Sequence, residues 1–488
     1  MDFPLNKPKS NWALVGSLVT CVLSLQGCEQ DCIGAGCLER FGAASALMHL
    51  GSDLPEAGEL EPTSADISIR GKTLQGPDWD VSINEGSILI GSSLDSTVRS
   101  YTPIIGEDIT EQQAVGSLLG EHLTDSFGHR IRTITAADGS SDLLIAAPDL
   151  STTAAVRHIG GVYRFTGIGK TFTGVLDVTD FALRMTGESA GGRFGSALAV
   201  CPDMDGDNAE EWFASATRDS TETQLSGQVI LVRSQDMMDQ PEQVGVGSIT
   251  TKWNGTDLAE LAGRSLNCQS DLDGDGTVDL VIGAPYADDP LGTDAVGRVH
   301  IISGADLPES GTLQERAHHT IQIGEDNDWL GWSIATGDLD GDGLAELVVG
   351  APGVDEATGA VYLWSGQQLQ TNELDEPAVT LSGVGESGRF GWSIHIADIN
   401  GDEASDLLVG APFENPTGES ESFYAGRISV YFGGISLAEW TTEQTAIDAP
   451  LQFAEAEQYL QTGSAIFSGN FDGDAAADVV FIHRAESN

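Results

Sequence analysis

The sequence predicts an all-β fold, a β-propeller of seven four-stranded blades or, as the alternative, of six. Three observations support this prediction. The 488 residues include 60 Gly and 17 Pro, a content typical of many tight turns and few long helices. An acidic loop followed by a buried strand recurs from Asp203, Asp271, Asp338, Asp398 and Asn470. The starts of successive copies lie 68, 67, 60 and 72 residues apart, which leaves room for about four strands in each unit.

The N-terminus predicts an export signal. Lys7 and Lys9 precede the uncharged stretch 13–24, and the segment 25–28, Leu-Gln-Gly-Cys, resembles a bacterial lipobox. We expect residues 1–27 to be a lipoprotein signal peptide and Cys28 to carry the lipid, with ordinary secretion as the alternative. The small, acidic and turn-rich segment 28–64 predicts a flexible tether, followed by the propeller at 65–488. The predicted location is the bacterial cell envelope.

The cysteines beyond Cys28 fall into two pairs. Cys32 and Cys37 are close enough along the chain to form a bridge in an oxidising compartment. Cys201 and Cys268 stand at nearly the same place in adjacent repeats. We expect this second pair to be buried free thiols, and a bridge between neighbouring strands is the alternative.

Each full repeat contains the same strands in the same order. A Gly-led strand precedes the acidic loop, a buried strand such as 280–285 follows it, and a third apolar strand such as 297–302 comes next. Weaker copies from Gly71 and from Phe127-Gly128 raise the number of units to seven. Because the chain stops after the second strand of the last unit, we expect residues near Asp66 to Ile69 to complete that blade and close the ring.

The acidic loops are predicted to bind about five calcium ions. Each loop offers oxygen ligands at positions 1, 3, 5 and 9 and a backbone carbonyl at position 7, and none contains His or Cys. This donor set suits calcium better than magnesium or zinc, and solvated acidic turns are the alternative. The predicted ligands are Asp203, Asp205, Asp207, Ala209 and Glu211; Asp271, Asp273, Asp275, Thr277 and Asp279; Asp338, Asp340, Asp342, Leu344 and Glu346; Asp398, Asn400, Asp402, Ala404 and Asp406; and Asn470, Asp472, Asp474, Ala476 and Asp478.

The charge balance excludes one class of partner. Asp and Glu number 75 against 22 Lys and Arg, a formal net charge of −53. A chain so acidic repels phosphate backbones and anionic lipid headgroups. We therefore expect no nucleic-acid partner, and membrane contact only through a lipid anchor.

With Phe-Gly, the Asp-x-Asp-x-Asp-Gly-type loop and Gly-Ala-Pro in this order, the repeat resembles the FG-GAP repeat of the integrin α-chain propeller. The resemblance implies calcium loops on one face and ligand recognition on the opposite face. That face would contain segments 286–295, 353–358 and 413–425, with Tyr286, Trp329 and Phe413 as candidate contacts or, alternatively, as the rim of the core. Trp332 and Trp392 are expected to pack between blades.

The resemblance and the motifs together predict a non-catalytic adhesion or protein-recognition module. Its partner would be an unidentified envelope or extracellular protein, or a glycan. A carbohydrate-binding surface protein is the first alternative and a propeller-type hydrolase or lyase the second. The one string that resembles a nucleophile elbow, Gly187-Glu-Ser-Ala-Gly191, is expected to join two strands with no helix after it, so we predict that the chain is not an enzyme.

Overall fold

The computed structural model describes residues 79–484 except 85, 104–107, 154–156, 220–224, 238–241, 250, 289–294, 306, 308, 416–423, 441–442, 455–460 and 475, together with three strands nearer the N-terminus. The predicted signal peptide, Cys28, Cys32 and Cys37 lie outside the described residues. Within the described residues, helices are short, and none is long and apolar enough to cross a membrane.

The strands pair into seven sheets, which we number as blades 1–7 along the chain. Blade 1 contains Trp79–Asn84, Ser87–Ser92, Thr97–Tyr101, Gly116–Leu119 and Gly174–Asp177. Blade 2 contains Arg130–Thr135, Ser141–Ala147, Gly161–Phe165, Leu183–Thr186 and Gln243–Gly245. Blade 3 contains Phe194–Cys201, Glu211–Ala216, Gln228–Val232, Lys252–Asn254 and Gly311–Thr312. Blade 4 contains Ser265–Asn267, Leu280–Ala284, Arg298–Ile302 and His319–Ile321.

The last three blades continue the pattern. Blade 5 contains Ser333–Gly337, Glu346–Ala351, Ala360–Trp364, Val379–Ser382 and Glu443–Thr445. Blade 6 contains Ser393–Ala397, Asp406–Ala411, Arg427–Tyr431, Leu451–Ala454 and Gly58–Leu60. Blade 7 contains Ile466–Gly469, Asp478–Arg484, Ala44–His49, Ile67–Gly71 and Asp108–Thr110.

In the part of the chain that the structure describes, helical segments are confined to connections. The α-helical segments are Ser234–Met237, Leu313–Arg316, Val354–Ala357 and Gly366–Thr371. The 3₁₀ turns are Glu111–Gln113, Val178–Asp180, Val246–Ser248 and Ala446–Asp448.

The seven blades close into a ring. The first strand of each blade contacts the first strand of the next, and the first strand of blade 7 contacts that of blade 1. Blade 7 joins the two ends of the chain, because Ala44–His49 pairs antiparallel with both Asp478–Arg484 and Ile67–Gly71. The predicted all-β propeller is confirmed, and an N-terminal segment closes it as expected.

The boundary between tether and propeller is corrected by the same strands. Ala44–His49 and Gly58–Leu60 fall within the segment 28–64 that the composition predicted to be a tether, yet they pair in blades 7 and 6. Composition alone does not distinguish that arrangement from a linker.

Most blades also receive a fifth strand from the next blade around the ring. The connection between the third and fourth strands of one blade crosses over and pairs parallel with the outer strand of the preceding blade, as Gly174–Asp177 does with Gly116–Leu119. The same parallel pairing recurs at blades 2, 3, 5, 6 and 7. In the described part of the chain, blade 4 has four strands, and the corresponding connection contains the helix Gly366–Thr371. These crossovers cover outer edges that would otherwise be open.

The two glycines of the repeat meet where neighbouring blades pack. A Cβ on Gly283 would lie 2.1 Å from the carbonyl oxygen of Gly331, and Gly350 stands in the same relation to Gly391 at 2.2 Å. Gly331 and Gly391 also have positive φ, +87° and +84°. Both positions therefore require glycine, one for close approach and one for backbone conformation.

Most of the large buried clusters form between blades. One cluster joins Val348 and Leu381 of blade 5 to Leu407 and Val409 of blade 6. Facing sheets bury alternate side chains against each other, which is why the second strand of each blade reads as a nearly continuous apolar run.

Blades 3 and 4 are also linked covalently. Cys201 and Cys268 form a disulfide with a Cα–Cα distance of 5.4 Å. The expectation of two free thiols was therefore wrong, and the bridge held as the alternative is present. Cys201 ends the first strand of blade 3 and Cys268 directly follows the first strand of blade 4, and the packing of adjacent blades brings those strands side by side.

Candidate metal centres

The acidic loops all connect the first strand of a blade to its second, so they lie at one end of the ring, which we call the loop end. In blade 4 the loop runs between Ser265–Asn267 and Leu280–Ala284, and in blade 5 between Ser333–Gly337 and Glu346–Ala351. The connections between third and fourth strands reach the same end, because strand directions alternate within a blade.

The residue at loop position 1 holds the loop backbone in its turn. Asp271 accepts hydrogen bonds from the backbone N–H groups of Gly274 at 2.7 Å and Gly276 at 2.8 Å. Asp338 accepts the equivalent bonds from Gly341 and Gly343, and the loops at Asp203 and Asp398 repeat the pattern. The position 1 side chain therefore holds the loop in its turn through these hydrogen bonds alone.

Three loops bring their predicted ligands together. Ligand oxygens within 4.8 Å of one another come from Asp203, Asp205, Asp207 and Glu211 in blade 3. Blade 4 contributes Asp271, Asp273 and Asp279, and blade 5 contributes Asp338, Asp340 and Glu346. In blades 6 and 7 an asparagine, Asn400 or Asn470, replaces one acid, and no such group of acidic side chains meets there within the described residues.

The other predicted ligands are not members of these three groups. Asp275, at position 5, lies outside the blade 4 group and accepts a hydrogen bond from the Ser303 hydroxyl at 3.0 Å. At position 7 of all five loops the backbone N–H donates to the position 5 side chain, as Thr277 does to Asp275 at 2.9 Å. The carbonyl ligands Ala209, Thr277, Leu344, Ala404 and Ala476 stay predictions.

The acid at position 9 is the buried member of each site. Asp279 is 1% exposed, and its two oxygens accept N–H bonds from Leu272 at 2.7 Å and Gly304 at 3.0 Å. Glu346 accepts the equivalent bonds from the N–H groups of Leu339 and Gly366. Asp406 accepts them from the N–H groups of Ile399 and Gly433. The position 9 carboxylate thus joins the loop to the connection between the third and fourth strands.

Burial makes the charge at position 9 costly. It raises the pKa of Glu211 and of Glu346 to about 7, and the pKa of Asp279 and of Asp406 to about 6. In blade 3, Glu211 Oε1 is also buried and has no hydrogen-bond partner among the described residues. A buried carboxylate among other carboxylates needs a positive charge nearby or must take up a proton.

Blade 2, whose loop lacks the acidic cluster, meets this need with an arginine. Asp142 occupies position 9 there, is fully buried, and pairs with Arg164 at 2.6 Å. Gly167 N–H donates to Asp142 at 2.8 Å, as Gly304 does to Asp279 in blade 4. The sheet register places Leu231, Ile301, Leu363 and Val430 where blade 2 has Arg164.

The exchange of Arg164 for aliphatic residues is a signal that the sequence analysis missed and that a strand-by-strand alignment of the repeats would have shown. Blades 3 to 6, which have acidic loops, have an aliphatic residue at this position, and blade 2, which keeps the position 9 acid without the acidic cluster, has a cation. The position 9 acid therefore has a side-chain counter-charge in blade 2, and the residue at the equivalent register position in blades 3 to 6 is uncharged. This pattern, together with an all-oxygen donor set, fits a bound hard cation such as calcium.

The opposite end of the ring, which we call the aromatic end, carries the aromatic strip: Tyr286, Trp329, Trp332, Trp392, Phe413 and Tyr424. Consecutive rings lie 4.5–5.6 Å apart between centroids, from Tyr286 to Trp329, Trp332, Trp392, Phe413 and Tyr424. The strip crosses blades 4, 5 and 6. Arg264 lies over Trp332 at 4.4 Å and Arg389 over Trp329 at 4.5 Å, both within cation–π range.

Exposure separates the members of the strip. Tyr286 and Trp332 are 9% and 7% exposed, so they belong to the core cluster at this end. Trp329, Trp392 and Phe413 are half-buried, and Tyr424 is 43% exposed. The expected packing of Trp332 against Trp392 is confirmed by their 4.5 Å centroid separation.

The segment around Ser189 is a turn between two strands. It connects Leu183–Thr186 to Phe194–Cys201, and Glu188 pairs with Lys252 at 2.8 Å. No helix follows Ser189 in this described segment, as expected, so the strand–turn–helix geometry of a nucleophile elbow is not formed here.

These features define a β-propeller built from repeats that carry acidic loops. The FG-GAP repeat model matches residues 268–302, 330–364 and 390–431, which lie in blades 4, 5 and 6. The chain therefore contains FG-GAP repeats, and its propeller is similar to that of integrin α chains.

Relatives of two kinds match the chain. It is 34% identical over 177 residues to the human phosphatidylinositol-glycan-specific phospholipase D, a match that covers 35% of this chain and 20% of the relative. It is 30% identical over 239 residues to integrin alpha-PS2 of Drosophila melanogaster, covering 44% and 15%, and 30% identical over 119 residues to integrin alpha-V of Gallus gallus, covering 23% and 11%. The matched parts are a fifth or less of each relative's length, and the relatives include both integrins and a phospholipase.

Proposed function

We propose that this chain is a calcium-stabilised, extracytoplasmic and non-catalytic recognition module. In this proposal the loop end binds calcium and maintains the fold, and the aromatic end binds a protein partner in the cell envelope or outside the cell. The lipid at Cys28 would hold the module on the membrane, and the predicted export signal supports that location.

The calcium part of the proposal is supported by the comparison between blades. In blade 2, where Asp138 is the one acid in the loop before position 9, Arg164 neutralises the buried Asp142. Where the loop has the acidic cluster, an aliphatic residue replaces the arginine and two or three further carboxylates approach the buried one, as in blades 3, 4 and 5. A divalent cation supplies the charge that these blades lack, and calcium accepts the number and kind of oxygens present.

The recognition part is carried by one observation, the continuous aromatic strip with its two stacked arginines. Aromatic and arginine side chains dominate the binding energy of protein interfaces, and here they form one array at the end of the ring opposite the loops. The disulfide between blades 3 and 4 supports the proposed oxidising location.

The proposal is tested by cross-linking the purified calcium-loaded chain to an envelope extract and comparing three forms of the chain. Proteins captured by the wild type should be lost when Phe413→Ala and Tyr424→Ala are combined, because these rings form the more exposed end of the strip. They should be retained by Ile435→Ala, which removes a side chain that is 46% exposed in the connection between third and fourth strands of blade 6, at the loop end. Equal capture by all three forms would contradict recognition at the aromatic end.

A glycan array distinguishes the carbohydrate alternative. Binding to a discrete set of sugars, lost in the same double variant, would replace the protein-recognition proposal with a lectin function. Hydrolysis of phosphatidylinositol glycans by the purified chain would overturn the non-catalytic part, and this assay is included because a phospholipase is among the relatives.

A further inference from the structure

One group of metal-ligating side chains lies away from the loop end. Glu121, His122 and Asp125 occupy the connection from the last strand of blade 1, Gly116–Leu119, to the first strand of blade 2, Arg130–Thr135. That connection reaches the aromatic end of the ring. Each of the three residues offers one ligand atom, and the three atoms lie within 4.8 Å of one another.

A second observation points to a ligand at this group. Asp125 is 2% exposed, and its Oδ2 is buried with no hydrogen-bond partner among the described residues. A buried carboxylate oxygen without a donor is costly, and binding a cation removes that cost.

The surroundings fix the geometry of the group. Asp125 N–H donates to the His122 carbonyl at 3.1 Å, and Asp149 N–H donates to the Asp125 carbonyl at 3.2 Å, so the turn is bonded both within itself and to blade 2. Arg184 forms an ion pair with Glu121 and lies 5.7 Å from the centroid of the Phe181 ring. Glu121 and His122 are exposed, which gives an ion access to the buried Asp125 from solvent.

The geometry points to a divalent transition-metal site formed by Glu121, His122 and Asp125. One imidazole and two carboxylates are a mixed nitrogen and oxygen donor set, which suits zinc and its neighbours better than calcium, which takes six to eight oxygens. Three protein ligands leave a coordination position open to solvent. This site differs from the loop sites in its donors and lies at the other end of the ring.

Zinc titration of the whole chain tests this inference. The titration is run in saturating calcium, so that calcium competes for any acidic loops that bind it, and isothermal calorimetry counts the zinc ions taken up. We expect one zinc per chain, and we expect His122→Gln to weaken binding by more than about 100-fold, because a lost ligand costs more than a lost supporting residue. Cobalt gives an independent readout, since its visible absorption depends on coordination, and the band should be lost in the same variant.

Two further variants make the result specific. Asp125→Asn should also abolish the site, and its melting temperature without zinc shows whether the variant folds. His318→Gln changes another exposed histidine, at the edge of blade 4, and should leave zinc binding unchanged. Absence of a zinc equivalent in saturating calcium, or equal zinc affinity in wild type and His122→Gln, would overturn the inference.

Discussion

At the scale of single residues, the position 9 acid joins each acidic loop of blades 4 to 6 to the connection between the third and fourth strands. Spacing predicted that Asp279 and Glu346 would be ligands, but not that they would be the buried members of their sites or that they would accept N–H bonds from a second connection. Those contacts depend on how the third and fourth strands return to the loop end. The local sequence pattern therefore identifies the types of candidate ligand, and the fold determines which of these side chains lie close together.

The buried acids predict a pH-dependent calcium effect. Their folded-state pKa values, about 7 for Glu211 and Glu346, lie above the ordinary 4.5, so the metal-free folded chain binds more protons than the unfolded chain between these values. The stability due to this protonation is complete below about pH 4.5 and is lost as the pH rises through 7. Calcium competes with those protons, so its stabilising effect should grow over the same window.

Melting temperatures with calcium and with chelator, measured from pH 5 to pH 8, test this expectation. The difference between the two curves should be small at pH 5 and largest at pH 8, and Glu346→Gln should reduce its growth with pH. A difference that does not change with pH would show that these carboxyls do not exchange protons for the ion.

At the scale of the strand and the blade, the surroundings of the buried position 9 acid take two forms. Blade 2 pairs a buried acid with Arg164, and the blades with acidic loops have an aliphatic residue at that point of the third strand. The repeat units, the loops and the Gly-led strands were predictable because they recur with a constant order. The fifth strands were not, because pairing between a connection of one blade and the edge of another has no local signal.

Arg164→Leu gives blade 2 the residue that blades 3 and 5 have at this position and should destabilise the chain with or without calcium. It leaves Asp142 buried without its partner, a loss of about 3 kcal/mol in the free energy of unfolding. We take the low end of the range for broken buried pairs because the Arg164 side chain is 21% exposed. Denaturant unfolding in chelator measures the loss.

The double variant Arg164→Leu with Asp142→Asn is the control, since it removes the unpaired charge and should recover part of the stability. If Arg164→Leu unfolds at the same denaturant concentration as the wild type, Asp142 does not need the arginine, and the comparison between blades loses its basis.

At the scale of the whole molecule, closure depends on segments far apart in the sequence. The ring is completed when Ala44–His49 pairs with Asp478–Arg484, and the disulfide ties blade 3 to blade 4. The end of the chain after a second strand predicted closure by an N-terminal strand near residues 66–69. It did not predict the additional strand Ala44–His49, which lies within a segment whose overall composition is rich in turn residues.

Two N-terminal truncations test whether the strand Ala44–His49 closes the ring. Removing residues 1–43 should leave the melting temperature unchanged, because the described ring begins at Ala44. Removing residues 1–50 should lower the melting temperature by several degrees or cause association, since it deletes the strand between two others and exposes the edge of Asp478–Arg484. Equal melting temperatures for the two truncations would show that Ala44–His49 does not close the ring.

The central claim is that calcium in the acidic loops is part of this fold. Equilibrium dialysis of the metal-stripped chain against calcium, with melting curves recorded on the same samples, tests it most directly. The account predicts saturable uptake of about five ions per chain and a melting temperature that rises with occupancy, because an ion that binds only the folded state stabilises that state. Absence of saturable uptake, with the same melting curve in calcium and in chelator, would contradict the account.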